Sequence, residues 1–135
     1  MMEKIKFELV SPEQLLVSQE VDMVVVPGEE GDFGVLPGHA LFLTLVRPGL
    51  IDIYKDDEVS SRIFVAGGFA EVNGECCTVL AEEAVDLVDV ERSAVEERIS
   101  RNEQAISLAN SDEDVAVYEH DLATGRALLE CLTRQ

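Results

Sequence analysis

Between Lys4 and Leu9 the chain alternates: Ile5, Phe7 and Leu9 are separated by Lys6 and Glu8. A period of two places one set of side chains on one face, so this stretch is predicted to be a half-buried strand. Short apolar runs follow at Leu15 to Val17, Val21 to Val26, Leu41 to Val46, Leu50 to Tyr54, Ile63 to Ala66, Phe69 to Val72 and Thr78 to Leu80. Between them stand Pro27-Gly28, Gly31, Gly34, Pro37-Gly38, Pro48-Gly49, Lys55 to Glu58, Gly67-Gly68 and Asn73-Gly74, residues that fix φ or permit positive φ where a chain reverses. Many short strands at this spacing predict a sandwich or a barrel.

Beyond Asp89 the pattern changes. Glycine and proline almost vanish, and Val95, Ile99, Ile106 and Ala109 recur at helical spacing with Ala105 and Leu108 beside them, which predicts a helix from about Val90 to Ala109. Asn110 to Asp114 interrupts it, and Ser111 with Asp114 three residues later has the spacing that satisfies the orphan amides of a new helix. In that second helix Val115, Tyr118, Leu122, Gly125, Leu129 and Leu132 form a heptad-like seam suited to one neighbouring helix. Gly125 costs the helix about 1 kcal/mol relative to alanine. It is either a site of close approach or a tolerated imperfection. The expected fold is mainly β plus α: an N-terminal β-sandwich over 1–88, then a C-terminal antiparallel two-helix hairpin over 89–135.

At 135 residues the chain buries enough apolar surface to fold without staples. Its 28 acidic and 10 basic side chains give a formal charge of −18, which argues against nucleic acid and anionic lipid as ligands. The three cysteines include the adjacent Cys76 and Cys77, which a strand would point to opposite faces, and the two histidines, His39 and His120, are isolated. Neither a disulfide framework nor a metal site is expected, and reduced, packing thiols are. The N-terminus has no apolar or Arg/Ser-rich leader pattern. No window approaches the roughly 18 apolar residues of a membrane helix, so direct membrane insertion is not expected. The sequence contains no phosphate-cradling glycine loop with lysine and no nucleophile elbow.

The series Pro27-Gly28-Glu29-Glu30-Gly31-Asp32-Phe33-Gly34-Val35-Leu36-Pro37-Gly38-His39-Ala40, followed by Arg47-Pro48-Gly49, Gly67-Gly68-Phe69 and Val79-Leu80-Ala81-Glu82, resembles the epsilon subunits of bacterial F-type ATP synthases, whose mitochondrial homologue is called delta. The likeness runs in order along essentially the whole chain. It implies a non-catalytic subunit of the rotor stalk, on the cytoplasmic face of the bacterial plasma membrane. The sandwich would join the gamma subunit to the membrane c-ring, and the hairpin would reach the catalytic alpha and beta subunits and restrain ATP hydrolysis. The driving ion, H⁺ or Na⁺, is left open.

The resemblance also nominates residues. Glu29, Glu30, Asp32 and His39 lie in the segment that faces the c-ring, and Asp32 matches an acidic position of the motif. The alternatives are a solvated acidic loop and a structural histidine. No cofactor is required, but some members bind regulatory ATP through Ile/Leu-Asp-two variable residues-Arg-Ala. Val88-Asp89-Val90-Glu91-Arg92-Ser93 keeps its Asp89 and Arg92 and departs from it at both apolar ends. Asp89 as a helix N-cap and Arg92 as a solvated side chain are the alternative reading. Two competing functions are a metal or thiol enzyme built on the cysteines and an acidic β-sandwich binding module that dimerises through its hairpin.

Overall fold

The computed structural model describes residues 3–38 and 40–134. It divides into two compact units, Met1–Val88 and Asp89–Gln135. The first contains eight strands: β1 (Ile5–Val10), β2 (Leu15–Val21), β3 (Met23–Gly28), β4 (Gly31–Val35), β5 (Phe42–Leu45), β6 (Gly49–Lys55), β7 (Glu58–Val72) and β8 (Cys76–Asp86). Their order is β2-β1-β8-β7-β6-β3-β4, with β5 also paired to β7. Only β1 and β8 run parallel; the other pairs are antiparallel.

The predicted alternation forms the core. Ile5, Phe7 and Leu9 are buried while Lys6 is exposed, and they meet Val21, Val24, Val26, Ile51, Ile53 and Val79 in one apolar cluster. Each such side chain contributes about 1.5–3 kcal/mol relative to being left in water. At one end Asp22 ties three segments together, accepting from Lys4 Nζ at 2.7 Å and from the Asp56 amide at 2.6 Å. Lys4 and that amide hold its carboxyl below the usual carboxylate range.

Two turn assignments from the sequence need correcting. Gly67-Gly68 does not end a strand: β7 runs straight through it for 15 residues. The two glycines have φ of +71° and +105°, and a Cβ on Gly68 would lie 1.8 Å from the Leu80 carbonyl oxygen. They change the parity of burial, because Ile63 and Val65 face the core before them and Ala70 and Val72 after them. Positive φ thus turns the strand over instead of reversing it, and β7 pairs with β6 through its first part and with β5 through its last. Likewise the glycine-punctuated stretch after Glu30 is a strand, β4, whose Val35 is buried.

In the second unit, α1 (Arg92–Leu108) and α2 (Asp112–Thr133) form the hairpin. Ser111 is the N-cap of α2, its hydroxyl accepting from the Asp114 amide at 3.2 Å. Helix α1 starts later than its pattern suggests. Its N-cap is Glu91, which makes no side-chain capping bond, while Asp89 lies in a preceding 3-10 turn, so the N-cap reading of Asp89 is corrected. Gly125 is buried, and a Cβ there would stand 3.2 Å from Ile99 Cγ1, so the glycine serves close helix approach. The apolar face of α2 is wider than a heptad seam: Thr124, Leu128 and Cys131 are buried, whereas Leu129 and Leu132 are only half-buried. Leu108 is exposed at the end of α1.

Candidate functional site

Strands β3 and β4 form a hairpin whose two-residue tip is Glu29-Glu30, both exposed. Gly28 lies opposite Gly31 at its neck, where a Cβ on Gly28 would meet the Gly31 oxygen and the Phe33 ring at 2.9 Å. Asp32 is therefore in the second leg of the hairpin, opposite Pro27, and not in an open loop. Its carboxylate accepts from Arg47 Nη2 at 2.5 Å, while Arg47 Nη1 donates to the Gly28 carbonyl at 2.7 Å. Both side chains of the ion pair keep contact with solvent, at 60 % exposure for Asp32 and 43 % for Arg47. On the next residue the direction reverses, and Phe33 packs edge-to-face on Phe42 with ring centroids 5.1 Å apart. His39 lies outside the described residues.

Beside this hairpin is an apolar edge. In the β5–β7 register Phe42 and Thr44 oppose the buried Val72 and Ala70, so Leu43 and Leu45 turn outward, and Leu45 stands opposite Phe69. Leu43 is 67 % exposed, Leu45 57 % and Phe69 40 %. A run of large apolar side chains on a four-residue edge strand is the pattern of a surface that another chain covers. Sequence periodicity predicts this strand; its partners and outward face follow only from the register with β7.

The hairpin unit holds a polar centre that sequence reasoning missed. Asn102 occupies the position midway between Ile99 and Ile106 in the apolar stripe of α1 and is buried. Its Nδ2 donates to Asp121 Oδ2 at 2.5 Å, and Arg98 donates to the same carboxylate from Nε at 3.1 Å and from Nη2 at 2.6 Å. The Arg98 guanidinium, helped by Asn102, holds the Asp121 carboxyl below the usual carboxylate range. An asparagine at 99 + 3 and an aspartate one position before the Leu122 seam are the only hints in the sequence.

The proposed nucleotide residues lie close in sequence. Asp89 is exposed in the 3-10 turn Leu87–Asp89, and Arg92, the first residue of α1, pairs with Glu96 at 3.2 Å. Cys77 is buried opposite Phe7 and Val72, where burial pushes its thiol up to about 12, so it is held protonated and unreactive. Among the described residues no cluster of His, Cys, Asp and Glu is arranged to hold a metal ion.

The family model described as the ATP synthase delta/epsilon chain β-sandwich domain matches residues 4–87. The chain is 54 % identical to the ATP synthase epsilon chain of Rhodospirillum centenum, over 100 % of this chain and 96 % of that one. It is 58 % identical to that of Paramagnetospirillum magneticum, over 86 % and 87 %. Among solved structures, a chain of the Euglena gracilis mitochondrial ATP synthase superposes with a TM-score of 0.80 at 21 % identity, over 96 % of this chain and 81 % of that one. A chain from the central stalk and c-ring of the Tetrahymena thermophila mitochondrial enzyme gives 0.67 at 16 % identity, over 96 % of both.

Proposed function

The chain belongs to the delta/epsilon chain family of ATP synthases, and from that premise we propose that it joins the gamma subunit to the c-ring in the rotor of a membrane-associated ATP synthase. It is an epsilon-type chain, a non-catalytic subunit that supports ATP synthesis. Among the described residues no helix is long and apolar enough to cross a membrane, and on this reading the c-ring is the chain's tie to the membrane. Its place on this reading is the cytoplasmic face of the plasma membrane.

The observation that carries the reading is the outward apolar edge of Leu43, Leu45 and Phe69, which we assign to gamma. The acidic β3–β4 tip beside it, with Glu29, Glu30 and Asp32, is assigned to the polar loops of the c-ring. The test is co-purification of gamma with the full chain. The double substitution Leu43→Glu/Leu45→Glu places two charges in the interface core and should abolish it while leaving the melting temperature within a few degrees. A wild-type chain that ignores gamma and self-associates would instead support the dimerising binding module.

The hairpin is the regulatory element on this reading, and regulatory ATP at Asp89 and Arg92 is part of the same proposal. The exposed Arg92–Glu96 pair does not bar it, since an i,i+4 pair of this kind is worth only about 0.3–0.5 kcal/mol. ATP titration of the chain against its Arg92→Ala variant tests that part.

A further inference from the structure

We propose that Arg47 is a positioning residue for the acidic tip: its guanidinium fixes the Asp32 carboxylate and the Gly28 carbonyl together, so that Asp32 meets a polar or basic loop of the c-ring in one orientation. The inference rests on the function proposed above and assigns to Arg47 a part that neither charge nor position alone would give it.

The backbone places Arg47 before its side chain acts. Its amide donates to the Pro27 carbonyl at 2.9 Å, the Glu29 amide donates to the Leu45 carbonyl at 2.8 Å, and Val46 bridges to Gly28. Gly49 completes the seat, since a Cβ there would stand 3.0 Å from Pro27 Cβ. From this anchored position the two terminal nitrogens reach two acceptors on the two legs of the β3–β4 hairpin, Gly28 on β3 and Asp32 on β4. A guanidinium spans two such acceptors with a planar fork; a lysine ammonium is a single point of charge and does not. The opposite side of the hairpin is held by Phe33 on Phe42. The tip is thus braced by a polar contact on one flank and an aromatic one on the other, leaving little freedom at Asp32.

Exposed ion pairs add little to fold stability. The consequence of this one is orientation: a carboxylate fixed before encounter loses less rotamer freedom when a partner docks. Arg47 also offsets part of the repulsion among Glu29, Glu30 and Asp32 at the tip.

The test uses ATP synthase complexes depleted of their own epsilon chain and reconstituted with the full-length protein, reading the ratio of ATP-driven proton pumping to ATP hydrolysis. Arg47→Gln and Arg47→Lys should each lower the ratio roughly threefold at an unchanged melting temperature, while Glu58→Lys, at the far turn between β6 and β7, leaves it alone. The double variant Arg47→Gln/Asp32→Asn should be no worse than Asp32→Asn, because a positioning residue acts through the group it positions. Independent, additive losses, full activity of Arg47→Lys, or a loss that follows a fall in melting temperature would each overturn the assignment. If the wild-type chain fails to bind the depleted complex, the proposed function itself falls, an outcome separate from binding that is insensitive to Arg47.

Discussion

Asn102 on α1 donates to Asp121 on α2 at 2.5 Å, placing a buried amide and a carboxylate face to face across the helical hairpin. A buried polar group stripped of its partner costs about 1–3 kcal/mol, whereas replacing both partners by apolar groups is close to neutral. Asp121→Ala should therefore destabilise the hairpin by that amount, and adding Asn102→Leu should recover most of the loss. Thermal unfolding followed by helical circular dichroism measures both. Failure of the second substitution to rescue would mean that Arg98, not Asn102, dominates the contact.

The same carboxylate gives a pH dependence whose sign is fixed. Arg98 lowers the folded-state pKa of Asp121, so its contribution is fully present above the unfolded value near 3.9 and is lost as pH falls through the folded value. Wild type should exceed Asp121→Asn in stability at neutral pH, and the two should converge on strong acidification.

Asp52 on β6 should behave in the opposite sense. Its Oδ1 is buried without a hydrogen-bond partner, Arg62 Nε is 3.6 Å away, and burial raises the pKa of the carboxyl. A raised folded pKa means that stability is greatest below the unfolded value and falls as pH rises through the folded one. Asp52→Asn should thus be as stable as wild type or more so at neutral pH, an advantage that disappears below about pH 4. A loss of stability at neutral pH would show that the Arg62 contact outweighs burial.

Which parts of this molecule were legible in its sequence follows from the range of the interactions. The β1 alternation, the Ser111 cap and the change of period near Asp89 are set by residues a few positions apart, and the structure has strand, cap and helices there. Gly67-Gly68 reads as a turn in the sequence because positive φ serves a reversal and a face change equally well, and only the partner strand distinguishes them. Strand β4 was hidden because Gly31 and Gly34 resemble loop punctuation. The Asp32 motif was visible, but the Arg47 fork on it spans 15 positions and joins two motifs that local spacing treats as separate. Asn102 is not legible from spacing, since a polar residue in an apolar stripe registers as a gap until its partner 19 positions away is known.

The reading of Gly68 as a face-changing residue is testable by contrast with Gly38. Both have positive φ, but a Cβ on Gly68 would strike the Leu80 backbone, whereas Gly38 has open space around it. Gly68→Ala should cost about 3 kcal/mol or more in denaturant unfolding, through enforced backbone displacement. Gly38→Ala should cost only the conformational term of about 1 kcal/mol. Equal costs would mean that the strand can shift to admit a side chain.

Charge in the hairpin bears on the regulatory role proposed for it. Residues 89–135 contain 11 acidic and 5 basic side chains, and three of those arginines are engaged within the hairpin, Arg92 with Glu96, Arg98 with Asp121 and Arg126 with Glu103. An acidic surface on the catalytic subunits would meet mainly like charge, which opposes docking. Inhibition of ATP hydrolysis by the hairpin should therefore be weak at low ionic strength and should hold or grow with added salt, as screening over about 8 Å removes repulsion. Hydrolysis rates of complexes carrying full-length and hairpin-deleted chains across a salt series check it. Strong inhibition that fades with salt would show that the arginines of the hairpin outweigh its net charge.

The central claim is that the sandwich performs the rotor function and the hairpin is an accessory to it. The most direct measurement is ATP-driven proton pumping by epsilon-depleted membranes supplied with residues 1–88 alone. The account predicts that this fragment folds around its own core, binds, and restores pumping to the level given by the full chain. A fragment that folds but leaves pumping at the depleted level would contradict it.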